Sequence, residues 1–279
     1  MKEILTQADL NVLKVLENEV MGRIQNIRKP LWVLSDLDGT LCNEYKFDSA
    51  TNYHFPIWDS DLVRLLSNTN LVIATGRSAS DPAINEMREL VFSKTPIPVI
   101  CENGGIILFP RNDSFVKLVP HKQIGKLAEI TRFIEETPLL NVEGQIKFVS
   151  RGETFVVLRM QDQYGVGRPE IHQELAMVVS NTISDPDFCV VSTASSVTIQ
   201  PRTVSKGNAF LKLLQMMDVN REDIFVVGLG DADNDVGIFE ESDLSVGVHE
   251  RVFNLTDLSS TLGTLASKQV ISMICKVNA

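Results

Sequence analysis

Asp36 and Asp38 stand two residues apart where the apolar run Leu31-Trp32-Val33-Leu34-Ser35 ends, and Gly39-Thr40 follow. In extended chain, residues i and i+2 point to the same side, so this spacing predicts a shared site for both carboxylates. Two converging carboxylates repel unless a cation sits between them or one is protonated. The pair therefore suits Mg²⁺, a shuttled proton, or both. That is the equipment of a phosphoryl-transfer centre, with one carboxylate as nucleophile and the other as acid/base. Asp, Gly and Thr are also ordinary turn residues, and the pair alone leaves a surface turn open. An EF-hand loop is excluded, because its sixth position must be glycine and here it is Leu41.

Three further signals add oxygen ligands and cations. Gly230-Asp231-Ala232-Asp233-Asn234-Asp235 also mimics the start of a calcium loop, but Val236 and Ser242 stand where the glycine and the bidentate glutamate belong. The segment reads either as an acidic turn capping a helix or as the second half of a Mg²⁺ site. Lys206, in Val204-Ser205-Lys206-Gly207-Asn208, opens a helix expected over 208–217, whose N-terminus favours anions. Thr75-Gly76-Arg77 offers a hydroxyl, a close backbone approach and a guanidinium. A lone lysine or arginine is ordinarily a solvated surface group; only the combination points to a site.

These residues need a scaffold that brings four distant segments to one edge. Leu71-Val72-Ile73-Ala74, Pro98-Val99-Ile100-Cys101, Ile224 to Leu229 and Leu244 to Val248 are short apolar runs separated by helical stretches. Continuous apolar strands suit a parallel sheet covered on both faces, whose ligands lie beyond the carboxyl ends of the strands. The run at 31–35 ends at Asp36, the run at 71–74 at Thr75, the run at 98–101 at Glu102-Asn103-Gly104-Gly105, and the run at 224–229 at Gly230-Asp231. Between about Phe109 and Thr203 the pattern changes. Hairpins are expected at 146–149/154–159 and at 188–193/197–200, with helical periodicity at Ile124, Leu127, Phe133 and Ile134, and again at Ile171, Leu175, Val178 and Val179. The fold class expected is α/β with an α+β insertion. Before it all, residues 3–28 read as an amphipathic helix with Thr6 and Asp9 as a capping pair, stopped ahead of Pro30. It packs on the main domain, or else serves a homodimer or partner contact through residues 1–30.

Composition narrows the partners. With 279 residues and a net charge of −10, the chain lacks the basic footprint of a nucleic-acid binder and offers no long-range steering of anions. No apolar run reaches the ~20 residues of a membrane span. Four scattered cysteines (Cys42, Cys101, Cys189, Cys275) without an export signal suit a reducing cytoplasm. His54, His121, His172 and His249 show no ligand spacing.

The order Asp36-Leu37-Asp38-Gly39-Thr40, Thr75, Lys206, Gly230-Asp231 with Asn234-Asp235 resembles the haloacid dehalogenase superfamily of aspartate-nucleophile phosphatases, over roughly residues 31–250. The insertion is similar to the larger, α/β type of cap. Thr75-Gly76-Arg77, Glu102-Asn103-Gly104-Gly105 and the Gly-Asp-x-x-Asn-Asp form resemble the sucrose-phosphate, trehalose-phosphate and mannosyl-phosphoglycerate phosphatase group. The resemblance implies a Rossmann-like core at 31–109 and 203–279, a cap at 110–202 and a helix at 1–30 outside the shared pattern. It implies Asp36 as nucleophile, Asp38 as acid/base, and Thr75 and Lys206 on the phosphate oxygens. It implies Mg²⁺ on Asp36, Asp38 (through its backbone carbonyl), Asp231 and Asp235, and substrate contacts at Gly39, Thr40, Gly76, Arg77, Asn103 and Asn234. The substrate implied is a phosphorylated sugar or related small metabolite. A phosphomutase of the phosphomannomutase type and a non-catalytic sensing or scaffold domain are the alternatives; mutases of that type carry a glycine- and serine-rich turn where this chain has Thr75-Gly76-Arg77.

Overall fold

The computed structural model describes residues 5–43, 45–48, 53–66, 68–87, 98–109, 114–136, 146–160, 169–192 and 196–278. Helix α1 (Gln7–Ile24) starts on a capping box, in which Thr6 Oγ1 accepts from the Asp9 N–H and the Asp9 carboxylate accepts from the Thr6 N–H. Leu16, Val20 and Ile24 recur every four residues and are buried where α1 meets α8 (Thr264–Asn278). The helix stops short of residue 28 because the turn tightens: the Ile27 N–H bonds to the Ile24 carbonyl, three residues back. Its expected start at residue 3 lies outside the described residues.

The main sheet has eight strands. In chain order they are β1 (Leu31–Ser35), β4 (Asn70–Ala74), β5 (Val99–Cys101), β6 (Ile106–Phe109), β7 (Ser114–Lys117), β12 (Phe225–Gly230), β13 (Leu244–Gly247) and β14 (Leu258–Ser259). Their spatial order is β14-β13-β12-β1-β4-β5-β6-β7. From β14 to β5 every pairing is parallel, with Val33 opposite Val227 on one side and Leu71 on the other. Alternate residues feed two apolar layers. Leu31, Val33, Leu71, Ile73, Val227 and Leu229 join Leu16, Val20 and Ile271 on one face. Leu34, Val72, Ala74 and Val226 meet Phe210, Leu213 and Leu214 of α6 (Lys206–Met216) on the other. Burial on both faces is why these strands read as unbroken apolar runs. Truncating the fully buried Phe210 to alanine would cost about 3–5 kcal/mol.

The sheet departs from the expected parallel pattern at one edge, where β5, β6 and β7 pair antiparallel. Only Glu102 to Gly105 connect β5 to β6, and a parallel crossover needs a dozen or more residues. Strand β7 thus belongs to the large sheet, although it falls inside the 110–202 segment read as an insertion. A hairpin unmarked in the sequence, β2 (Tyr45–Asp48) with β3 (Tyr53–Pro56), follows β1; the short helices α2 (Ser60–Leu66) and α3 (Pro82–Met87) flank β4, and α7 (Val236–Glu240) follows β12.

A second, antiparallel sheet has the order β10-β11-β9-β8, from β8 (Ile146–Arg151), β9 (Val156–Met160), β10 (Phe188–Ser192) and β11 (Val197–Pro201). Helices α4 (His121–Glu136) and α5 (Pro169–Thr182) share an apolar cluster with it: Leu127, Ile134, Leu175 and Val179 join Val156, Leu158, Val197 and Ile199. Phe133 and Val178, read as part of the buried stripes, are 48% and 43% exposed. Each is the immediate neighbour of a buried residue, about 100° around the helix from it.

Candidate active site

Four chain segments reach the carboxyl edge of the large sheet. Asp36 follows β1 directly, its N–H bonded to the Leu229 carbonyl of β12, and is 5% exposed. Asp231 and Asp235 lie just past the end of β12. The Asp235 carboxylate closes that turn by accepting from the Asp231 and Ala232 N–H groups at 2.9 and 3.0 Å. Lys206 is the first residue of α6, behind Ser205, whose hydroxyl accepts from the Asn208 N–H and caps the helix. The sequence suggested a helix opening at Asn208; the cap sets it two residues earlier.

Lys206 is fully buried, an arrangement almost never found for lysine unless the ammonium is paired. Its Nζ donates to Asp36 Oδ1 at 2.5 Å and to Asp235 Oδ1 at 2.6 Å. Carboxylate oxygens of Asp36, Asp231 and Asp235 all lie within 4.8 Å of one another. Burial, reinforced by Asp235, Asp231 and Asp38 and opposed by Lys206, pushes the Asp36 carboxyl well above the usual range. Burial and then Asp235 push Asp231 up to about 6. Burial pulls the Lys206 ammonium down, but Asp235 and Asp36 outweigh it and hold its pKa above the ordinary lysine value. One ammonium faces three carboxyl groups, too little positive charge for all three to ionise together without a further cation. A small divalent cation with oxygen preference fits both that charge and that donor set.

Gly39 belongs to the same cluster. It has φ +87°, and a Cβ there would sit 2.6 Å from Asp231 Oδ2, so both the backbone and the space demand glycine. Thr40 is buried and donates to Asp231 Oδ1 at 3.2 Å. Its hydroxyl thus serves the acidic cluster, where the resemblance implied a substrate contact.

Asp38 lies in a different environment. Its side chain is 36% exposed, against 8% for Asp36. Arg77 grips its carboxylate, Nε at 2.9 Å from Oδ2 and Nη2 at 2.8 Å from Oδ1. The chain leaves the extended form at Asp36, and the carboxylates two residues apart have different partners. Asp81 also pairs with Arg77 at 3.3 Å, and the Tyr45 ring lies 6.0 Å from the guanidinium. Burial lowers the Arg77 pKa, but the Asp38 hydrogen bond and charge prevail and raise it above the ordinary value.

Thr75 is fully buried; its N–H bonds to the Ile100 carbonyl and its Oγ1 accepts from the Arg77 N–H. Gly76 faces Asn103, whose Oδ1 would lie 3.0 Å from an added Cβ. The Asn103 amide is already engaged at both ends, donating to Gln200 Oε1 at 3.0 Å and accepting from Asn234 Nδ2 at 3.3 Å. Asn103 and Asn234, read as substrate contacts, hold each other. Sequence reasoning passed over Tyr45, Thr154 and Gln200, and gave Glu102 no role of its own. Only Glu102 left a signal, as an acid at a strand end beside Asn-Gly-Gly.

The haloacid dehalogenase-like hydrolase family matches residues 33–148 and 166–261, well over half the chain. A Mycoplasma pneumoniae protein provisionally described as a phosphatase is 23% identical over 268 residues, spanning 82% of this chain and 89% of its own. The fold is similar to the C-terminal domain of Candida albicans trehalose-6-phosphate phosphatase (TM-score 0.64, 16% identity, 95% of this chain and 97% of that one). It is also similar to a Thermotoga maritima protein (TM-score 0.56, 21% identity, 88% and 96%). Among the described residues no helix is long and apolar enough to cross a membrane. By its sheet order, its acidic strand-end cluster and the extent of the family match, the chain belongs to the haloacid dehalogenase-like hydrolases.

Proposed function

We propose that this hydrolase is a Mg²⁺-dependent phosphomonoesterase that acts on a phosphorylated sugar or related small metabolite through an aspartyl-phosphate on Asp36. The observation that carries this reading is the buried Asp36 carboxylate, paired with Lys206 and set within 4.8 Å of Asp231 and Asp235 oxygens. Asp36, Asp231, Asp235 and the Asp38 carbonyl are the groups assigned to Mg²⁺, which when bound supplies positive charge against the phosphoryl oxygens.

Asp36 attacks phosphorus, a P–O bond to Asp36 forms, and the bond to the leaving oxygen breaks. Asp38 gives that oxygen its proton. Asp38 then takes a proton from water as the water oxygen attacks phosphorus; phosphate leaves and the Asp36 carboxylate is restored. Splitting one displacement into two and moving the proton at Asp38 are the two rate devices. Arg77 fixes where the Asp38 carboxylate lies, so its grip has to loosen when that oxygen turns to the leaving group. Lys206 and Thr75 are assigned to the phosphoryl oxygens, where fixed positive charge and aimed donors count most. The small sheet with α4 and α5, within 110–202, is assigned as the cap that selects the leaving group.

A phosphate-release screen over mono- and disaccharide phosphates tests the reading, with trehalose 6-phosphate first because a fold neighbour's name carries it. Release that depends on Mg²⁺ and stops in EDTA is expected. Release that survives exhaustive chelation, or none from the whole panel, would contradict it; an isomerised sugar phosphate in place of free phosphate would favour the mutase alternative.

A further inference from the structure

Glu102 has no role in the chemistry above, yet it is fully buried at the strand end beside that site. Its Oε2 accepts from both the N–H and the hydroxyl of Thr154, at 2.8 and 2.7 Å, and its Oε1 accepts from the Ser78 hydroxyl at 3.1 Å. Thr154 lies in the turn between β8 and β9 of the small sheet. The next residue, Asn103, holds Gln200 of β11 in the same sheet. Two adjacent side chains of the large sheet thus grip two separate strand ends of the small one.

The same segment touches three of the four loops of the candidate site. The Glu102 N–H bonds to the Arg77 carbonyl at 2.9 Å and the Asn103 N–H to the Thr75 carbonyl at 3.0 Å. Asn234 bonds Asn103, and a Cβ on Gly104 would collide with the Ser205 carbonyl just before Lys206. The joint is close-fitting throughout: a Cβ on Gly105 would sit 1.8 Å from Thr154 Oγ1, and one on Gly152 2.8 Å from Glu102 Oε2. Glu102, Asn103 and Gly104 have φ of 54°, 54° and 110° in succession. Consecutive left-handed residues, one of them a glutamate, persist only where surrounding contacts hold them.

We propose that Glu102 is a positioning residue which couples the placement of the small sheet to the alignment of the Thr75–Arg77 and Ser205–Lys206 loops. The inference rests on the phosphatase reading for its functional meaning, while the coupling itself is a property of the free protein. When Thr154 is seated on Glu102, the Glu102 and Asn103 amides hold the Thr75–Arg77 backbone. When Thr154 leaves, a buried carboxylate loses two of its donors and that backbone loosens.

Backbone amide exchange on the full-length protein tests this with Thr154→Val, which deletes one hydroxyl bond at nearly constant shape, and with Glu102→Ala and Glu102→Gln. The expected result is about tenfold faster exchange at the Glu102, Asn103 and Arg77 amides in Thr154→Val and Glu102→Ala, with α8 amides unchanged. Glu102→Gln should restore most of the protection, its Oε1 accepting from Thr154 and its Nε2 donating to Ser78. With p-nitrophenyl phosphate and Mg²⁺, kcat should fall about tenfold in the same two variants at near-constant KM and recover in Glu102→Gln. Loosening confined to the 152–156 turn, with the Glu102, Asn103 and Arg77 amides as protected as in the parent, would overturn the proposal. If the parent hydrolyses no ester at all, the phosphatase reading fails while amide exchange still decides the coupling.

Discussion

Replacing Lys206 by methionine isolates the electrostatics of the site. The ammonium is fully buried and holds Asp36 and Asp235 at 2.5 and 2.6 Å, so the variant leaves two carboxylates facing each other across an apolar gap. Removing one partner of a buried ion pair costs about 3–5 kcal/mol. For 279 residues at about 2.1 cal/mol/K each, the unfolding entropy near the midpoint is about 0.6 kcal/mol/K, which makes the expected fall in Tm about 5–9 °C. The deficit should depend on pH with a definite sign. Burial already raises the Asp36 carboxyl, and losing Lys206 raises it further. A carboxyl whose folded pKa lies above its unfolded value destabilises the fold at high pH, and this penalty disappears as pH falls below the unfolded value, near 4. Lys206→Met should therefore be furthest from the parent at pH 7.5 in EDTA, closer at pH 5, and partly rescued by Mg²⁺ at pH 7.5. Thermal melts under those three conditions give the answer. A Tm within about 2 °C of the parent at pH 7.5, or a deficit that grows on acidification, would mean that Lys206 does not hold the two carboxylates in this way.

Two other perturbations follow from the same cluster. Gly39→Ala places a methyl 2.6 Å from Asp231 Oδ2 at φ +87°, so it should cost about 1–3 kcal/mol and weaken Mg²⁺ binding by tenfold or more; isothermal titration and a melt read the two effects. Burial and Asp235 set Asp231 at about 6, so protons compete with the cation there, and Mg²⁺ binding should be about tenfold weaker at pH 5 than at pH 7. By the same shift the metal-free protein should lose stability as pH rises from about 4 to about 6, a trend that saturating Mg²⁺ should cancel.

Asp36, Asp38 and Asp231 were legible because chemistry-bearing residues follow apolar runs and a parallel sheet brings such run-ends to one edge, while Lys206 was marked by its place at the start of a helix. What each carboxylate touches was not legible. The i, i+2 rule holds only while the chain stays extended, and it turns at Asp36, which leaves Asp38 with Arg77 and brings Asp36 to Lys206. Asp235 emerged as the residue that closes its own turn and pairs with Lys206, a dual role that spacing cannot separate from direct metal ligation. The Glu102–Thr154 and Asn103–Gln200 contacts join residues 52 and 97 apart in sequence across two sheets. No periodicity encodes such a pairing. The antiparallel β6–β7 edge was hidden for a simpler reason: short apolar strands look alike in either direction, and only the brevity of the β5–β6 connection distinguishes them.

In the proposed reaction Asp36 carries the phosphoryl group. Single-turnover reaction with a phosphate ester and Mg²⁺, quenched and reduced with borohydride, converts an aspartyl-phosphate to homoserine, which peptide mass spectrometry locates. Reduction at position 36 is expected, with none in the presence of EDTA and turnover below about 1% of the parent in Asp36→Asn with the fold retained. Reduction at another carboxylate, or undiminished phosphate release by Asp36→Asn, would contradict it.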